Sequence, residues 1–164
     1  MATLDVFYRD DTVLYGDLQG IWLMLLFGPP DATKMKRAGP TLTEMAKRYP
    51  AGFANITLVT QEAGLTMDTA SREAAAELTA QFEREMKADC TVIDGDGFWP
   101  ATVRAIVGAV HLLSRVRHPR AAFRTLPEAI DWSIQHMPVA TRQRFDKRAA
   151  VAAAEDALAS VRAR

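Results

Sequence analysis

Residues 20–30 read GIWLMLLFGPP, an unbroken apolar run that stops at Gly28-Pro29-Pro30. It is far too short to cross a bilayer. A run that is apolar at every position from Ile21 to Phe27 predicts a strand buried on both faces, so the sheet that contains it must be covered by other elements. Two shorter strands precede it, Thr3 to Tyr8 and Thr12 to Asp17, on either side of the turn Arg9-Asp10-Asp11. The chain opens with three strands.

Beyond Pro30 the apolar period changes. From Asp31 to Tyr49, residues Met35, Leu42, Met45, Ala46 and Tyr49 fall at helical spacing. Gly39-Pro40 interrupts the pattern and Thr41-Leu42-Thr43-Glu44 has the form of a capping box, which predicts a kinked helix or two short ones. Phe53 to Thr60 then reads as a strand. A helix from about Thr69 to Lys87 follows, with Ala70, Ala74, Leu78 and Phe82, or close neighbours, on its inner face. Asp89 to Ile93 is the next strand, Phe98 to about Arg117 the next helix, and Ala121 to Thr125 a short strand. Thr125-Leu126-Pro127-Glu128 caps a helix that ends near Met137-Pro138.

This order predicts an α/β fold: a mixed sheet opening with a β-hairpin and a third strand, then alternating α and β with helices covering the sheet. Residues 1–137 are expected to form that domain, and 138–164 an Ala-rich C-terminal helical extension. Its helix, about Ala140 to Val161, carries only a thin apolar stripe of Phe145, Ala149, Ala152 and Leu158. A helix with so little to bury seldom stands alone. The extension either folds back on its own domain or serves self-association or a protein partner.

Charge narrows the partners. The 20 basic and 20 acidic side chains cancel, which excludes a broad nucleic-acid surface, since that needs a concentrated positive field. At 164 residues, 49% hydrophobic and 24% charged, the chain suits one globular domain with a real core. The single Cys90 permits no internal disulfide and, within an apolar run, reads as a buried structural thiol. The opening MATLDVFYRDD is acidic where a signal peptide is basic, so a cytoplasmic location without a membrane span is expected.

The stretch most suggestive of chemistry is Asp94-Gly95-Asp96-Gly97, which follows the apolar Thr91-Val92-Ile93. An EF-hand loop needs oxygen ligands at positions 1, 3 and 5, glycine at 6 and glutamate at 12. With Asp94 at position 1, Trp99 and Ala105 fall at positions 6 and 12; with Asp94 at position 3, Val92 and Val103 fall at 1 and 12. Neither register works. CTVIDGDGF also resembles the haloacid-dehalogenase motif, in which Asp94 would be the nucleophile of a phosphohydrolase and Asp96 its partner. The later chain offers only Glu128 and Asp131 on one helix and Lys147 in the tail, with no second strand end carrying paired carboxylates. The stretch is read instead as a strand-to-helix turn, with glycines supplying positive φ and Asp94 or Asp96 bonding turn amides.

His111, His118 and His136 show no metal-ligand spacing, and no Walker loop, G-x-G-x-x-G or G-x-S-x-G occurs, so neither metal nor cofactor is predicted. His111, within the apolar helix, reads as hydrogen-bonded or half-exposed. Gly16 and Gly20 read as turns. Met24, Met35, Met45, Met67 and Met86 are core fillers that would also suit a ligand cavity.

Over about Leu4 to Met137 the order of elements resembles the STAS, or anti-sigma-factor-antagonist, domain. GIWLMLLFGPP looks like its third strand and FRTLPEAIDW its last strand–helix junction. The same architecture occurs in lipid-binding domains of the Sec14 type. The resemblance implies a non-enzymatic protein-interaction or regulatory module; the Sec14 likeness implies binding of a small apolar ligand or lipid. Signalling STAS domains carry a phosphorylated Ser or Thr in Asp-Ser-Ser/Thr-Gly-Leu. The nearest match is Met67-Asp68-Thr69-Ala70-Ser71, with Thr69 as the implied phosphoacceptor and Ser71 beside it. Ser71-Arg72 replaces the Gly-Leu, and Asp68 or Thr69 also reads as a plain helix N-cap.

Overall fold

The computed structural model describes residues 3–64, 67–95 and 98–163, without the side chains of 98–100. Its strands are β1 (Asp5–Arg9), β2 (Val13–Leu18), β3 (Ile21–Leu26), β4 (Phe53–Val59), β5 (Met86–Ile93) and β6 (Arg120–Phe123). They form one sheet in chain order, β1 to β6. The first three are antiparallel, and β3 to β6 run parallel. The helices are α1 (Ala32–Arg48), α2 (Thr69–Gln81), α3 (Phe98–Ser114), α4 (Leu126–His136), α5 (Val139–Arg142) and α6 (Lys147–Arg162). This is the α/β fold expected, mixed at its opening end and closed by a C-terminal helix.

Strand order fixes where the helices lie. Each parallel step moves the same way across the sheet, and right-handed crossovers then put all three connecting helices on one face. Accordingly α1 packs on α2 and α2 on α3, while α4 packs on β4, β5 and α6 across the sheet. The period of two along the strands sorts the core. Trp22, Leu26, Phe53 and Val59 join α1 and α2 in one cluster. Leu23, Leu25, Ile56, Leu58 and Cys90 join α4 and α6 in the other. Burial of β3 on both faces follows the continuous apolar run at Ile21–Leu26.

The β2–β3 turn has positive φ at both Gln19 (57°) and Gly20 (96°), the geometry that matches strand twist in a two-residue hairpin. Gly16 lies inside β2, not in a turn. A Cβ there would sit 2.9 Å from the Asp5 carbonyl oxygen, so glycine permits the approach of β1.

Several boundaries differ from those expected. α1 is a single helix with Pro40 inside it and not the alternative of two short ones. Pro40 and Lys36 are exposed, so the helix places on its solvent side the turn in which proline removes an amide donor. Thr41 is no cap: its Oγ1 donates to the Ala38 carbonyl at 2.7 Å and accepts from Trp22 Nε1 at 3.0 Å. α2 stops at Gln81, because Phe82 turns in as its C-cap, and β5 starts early, at Met86. The pairs Phe53–Met86 and Ala54–Ala88 mark a bulge at Lys87, which brings Met86 and Asp89 onto the same face.

The tail also differs from one uninterrupted helix. A single turn, α5, precedes a break, and Asp146 caps α6 by accepting from the Ala149 amide at 3.0 Å. The buried stripe of α6 is Ala150, Ala154 and Val161, while Ala152 faces solvent. An alanine-rich stretch carries too little apolar contrast to set its own phase; docking against α4 and β2 sets it.

Candidate functional site

Between the sheet and α1–α3 lies a cavity of about 130 Å³. Its walls are apolar, with Trp22 and Met24 from β3, Met35 and Leu42 from α1, Leu78 from α2 and Val107 from α3. Met67 and Met86 also line it, so four of the five methionines singled out by sequence reach the cavity, whereas Met45 is wholly buried in the adjoining core. Their flexible thioethers adapt to an irregular wall.

The floor is polar, and the strands explain why. Asn55 and Thr57 occupy alternate positions of β4, and Asp89 and Thr91 alternate positions of β5. Parallel register pairs Asn55 with Asp89 and Thr57 with Thr91, so all four side chains meet on the cavity side. Asn55 Nδ2 donates to Asp89 Oδ1 at 2.7 Å. From α3, His111 Nε2 stands 3.5 Å from Asp89 Oδ2. Burial opposes ionisation of Asp89, but the His111 contact and charge, the Asn55 amide and the field of His118 outweigh it and hold the carboxyl below its usual 3.8. That direction favours the carboxylate form of Asp89 on the floor of an apolar chamber. Asn55 Oδ1 is buried there without a hydrogen-bond partner, which costs about 1–3 kcal/mol until something donates to it.

α3 closes this side loosely. Of its residues from 101 on, only Val103 and Ser114 are buried, and Leu112 and Leu113 are 80% and 56% exposed. Arg120 of β6 anchors the helix's last turn, donating from Nη1 to the His111 carbonyl and from Nη2 to Ser114 Oγ, each at 2.6 Å. Beyond the helix, both ring nitrogens of His118 are buried without partners. Burial lowers its pKa below 6.5, assisted by Arg120 and His111 and opposed by Asp89 and Glu83.

The Asp94-Gly95 turn, the candidate phosphoacceptors and Cys90 lie elsewhere. Asp94 follows β5; its amide donates to the Val59 carbonyl at 3.0 Å and its carboxylate pairs with Arg162 of α6. Gly95 has φ of 131°, the conformation expected of a turn glycine. Asp96 and Gly97 lie outside the described residues. Asp68 is the N-cap of α2, its Oδ1 accepting from the Ser71 amide at 2.7 Å. Thr69 is exposed in the first turn, whereas Ser71 is wholly buried, so of the two residues only Thr69 lies at the surface. Cys90 points to the opposite face, where burial pushes its thiol up to about 12 despite a contact with Ser133 Oγ at 3.6 Å. Among the described residues no three His, Cys, Asp or Glu side chains are grouped to hold a metal ion.

Of the floor, sequence reasoning marked only His111. Asn55 and Asp89 went unread, although the polar residues at 55 and 57 of β4, and at 89 and 91 of β5, already share a strand phase. No family model matches the chain, and no curated protein matches it.

Proposed function

We propose that the protein is a non-catalytic binding module whose cavity holds a small, largely apolar molecule. The observation that carries this reading is the chamber itself: apolar walls from four elements over a floor of a few convergent polar groups, the usual composition of a ligand site. Its likeness in element order to Sec14-type domains adds support. The test is thermal unfolding in the presence of toluene. A ligand that binds only the folded state at about ten times its Kd adds about 1.4 kcal/mol, so Tm should rise by a few degrees, about 2–4 °C per kcal/mol. Val107→Trp, which fills the chamber from α3, should abolish that rise. An unchanged Tm in the unaltered chain would refute the reading.

A second reading, a STAS-like protein-interaction module, is supported by the outer edge of α3. Leu112 and Leu113 are exposed there, and residues 98–127 contain five arginines and no carboxylate. Arg104, Arg115, Arg117 and Arg124 are exposed. Such an edge suits an acidic, partly apolar protein surface, on a partner or a second copy. Sedimentation velocity across a hundred-fold range of concentration tests the second copy: Leu112→Ser with Leu113→Ser should abolish any self-association, and assembly that survives the double change would place the interface elsewhere.

A further inference from the structure

The floor of the cavity restricts the head group of whatever occupies it. Asn55, 6% exposed, is held in one orientation, because turning its amide over would set Oδ1 against the Asp89 carboxylate. With Nδ2 committed to Asp89, Oδ1 remains a buried acceptor with nothing to accept. Beside it Asp89, 5% exposed, is a second acceptor, and Thr57 and Thr91 stand one step further along the same face. No lysine or arginine lines the chamber among the described residues. An anionic head would therefore meet a carboxylate and an amide oxygen with no lysine or arginine to balance it, and His111, the basic side chain in the lining, already stands 3.5 Å from Asp89 Oδ2. The volume limits the body as well: about 130 Å³ is close to the roughly 150 Å³ of an apolar cavity that accepts benzene.

We propose that the cavity selects a ligand of about the size of a substituted benzene whose head donates hydrogen bonds and carries no negative charge, an alcohol or an amine, seated on Asn55 Oδ1 and the Asp89 carboxylate. This rests on the reading of the chamber as a ligand site. It also excludes a subset of apolar ligands that the walls alone would admit, carboxylic acids of the same size.

Calorimetric titration of the full chain at pH 7 with toluene, benzyl alcohol, benzylamine and benzoate tests it. The four share one ring and differ at the head. Benzyl alcohol or benzylamine should bind about ten-fold more tightly than toluene, the effect of one hydrogen bond to a buried group. Benzoate should give no measurable binding. Asn55→Leu should keep toluene binding and bring the donor ligands to within about two-fold of it, as the acceptor is gone. Asp89→Asn retains a polar side chain beside Asn55 and should admit benzoate; a folded Asp89→Asn protein that still excludes it would count against the charge argument. Toluene binding as tightly as both donors, or benzoate binding best, would overturn the proposal while leaving the chamber a ligand site. Failure of all four to bind would instead remove the ligand-site reading on which it stands. The ranking on the unaltered chain decides the matter even if a variant does not fold.

Discussion

At the scale of single residues, polar side chains in buried places are the informative ones. Asp10 illustrates an ordinary structural use. Burial opposes its ionisation, but the amides of Thr12 and Val13 and the hydroxyls of Tyr8 and Thr12 hold its carboxyl below 3.8. All of its bonds fall within three residues, so it shapes the first hairpin turn. His118 is the opposite case, a half-buried residue whose two ring nitrogens are both buried and unsatisfied. Its folded pKa lies below 6.5, so as pH falls through 6.5 the unfolded chain takes the proton first and stability declines until the folded ring titrates too. His118→Leu should remove that decline between pH 7 and 5. It should also raise Tm at pH 7 by about 2–4 °C, corresponding to roughly 1 kcal/mol. Thermal unfolding followed at several pH values checks both; equal pH slopes in the two proteins would mean that another group sets the dependence.

Among the elements, α6 shows most clearly what an amphipathic reading leaves open. The Ala-rich composition predicts a helix, and a helix forms, but its partner is its own domain. Gln19 and Asp146 exchange hydrogen bonds at its start, Nε2 to the Asp146 carbonyl at 3.1 Å and the Asp146 amide to Oε1 at 2.8 Å. Lys147 meets Asp131 of α4 at 2.6 Å, Arg9 reaches Ser160, and Arg162 pairs with Asp94. Exposed pairs of this kind contribute little each; Ala150 and Ala154, with Val151, Ala157 and Leu158 packed beside them on the same cluster, carry most of the docking. Deleting residues 147–164 should uncover the face of β2 and α4, cost at least about 3 kcal/mol and lower Tm by roughly 6–12 °C. Increased fluorescence of an apolar-surface dye in the truncated chain is the companion readout. An unchanged Tm would mean that α6 does not dock on the sheet in solution. α3 is the contrasting element. It is the more apolar helix in sequence, yet of residues 101–114 only Val103 and Ser114 are buried, because a cavity rather than packed side chains lies beneath much of it.

For the whole molecule, the decisive fact is that chain order and strand order coincide. That places three connecting helices on one face and leaves the other for α4 and the tail. The two faces then differ in chemistry. The side toward α4 and α6 is filled with Leu, Ile, Ala and Val, whereas the side toward α1–α3 carries Asn55, Thr57, Asp89 and Thr91 at its centre and encloses a chamber.

The sequence by itself determined the class of fold, the number of strands and their succession along the chain, the helix cap at Thr125 and a cap at Asp68 or Thr69, of which the structure has Asp68. These depend on local period and on side chains that bond their own neighbours, so a few adjacent residues suffice. It also determined that Asp94-Gly95 is a place where the chain turns. Only tertiary structure decided the continuity of α1 across Pro40, the phase of α6 and the meeting of Asn55, Asp89 and His111. Asn55 and Asp89 are 34 residues apart, and they become neighbours through parallel register and a one-residue bulge at Lys87, neither of which any short stretch of sequence specifies.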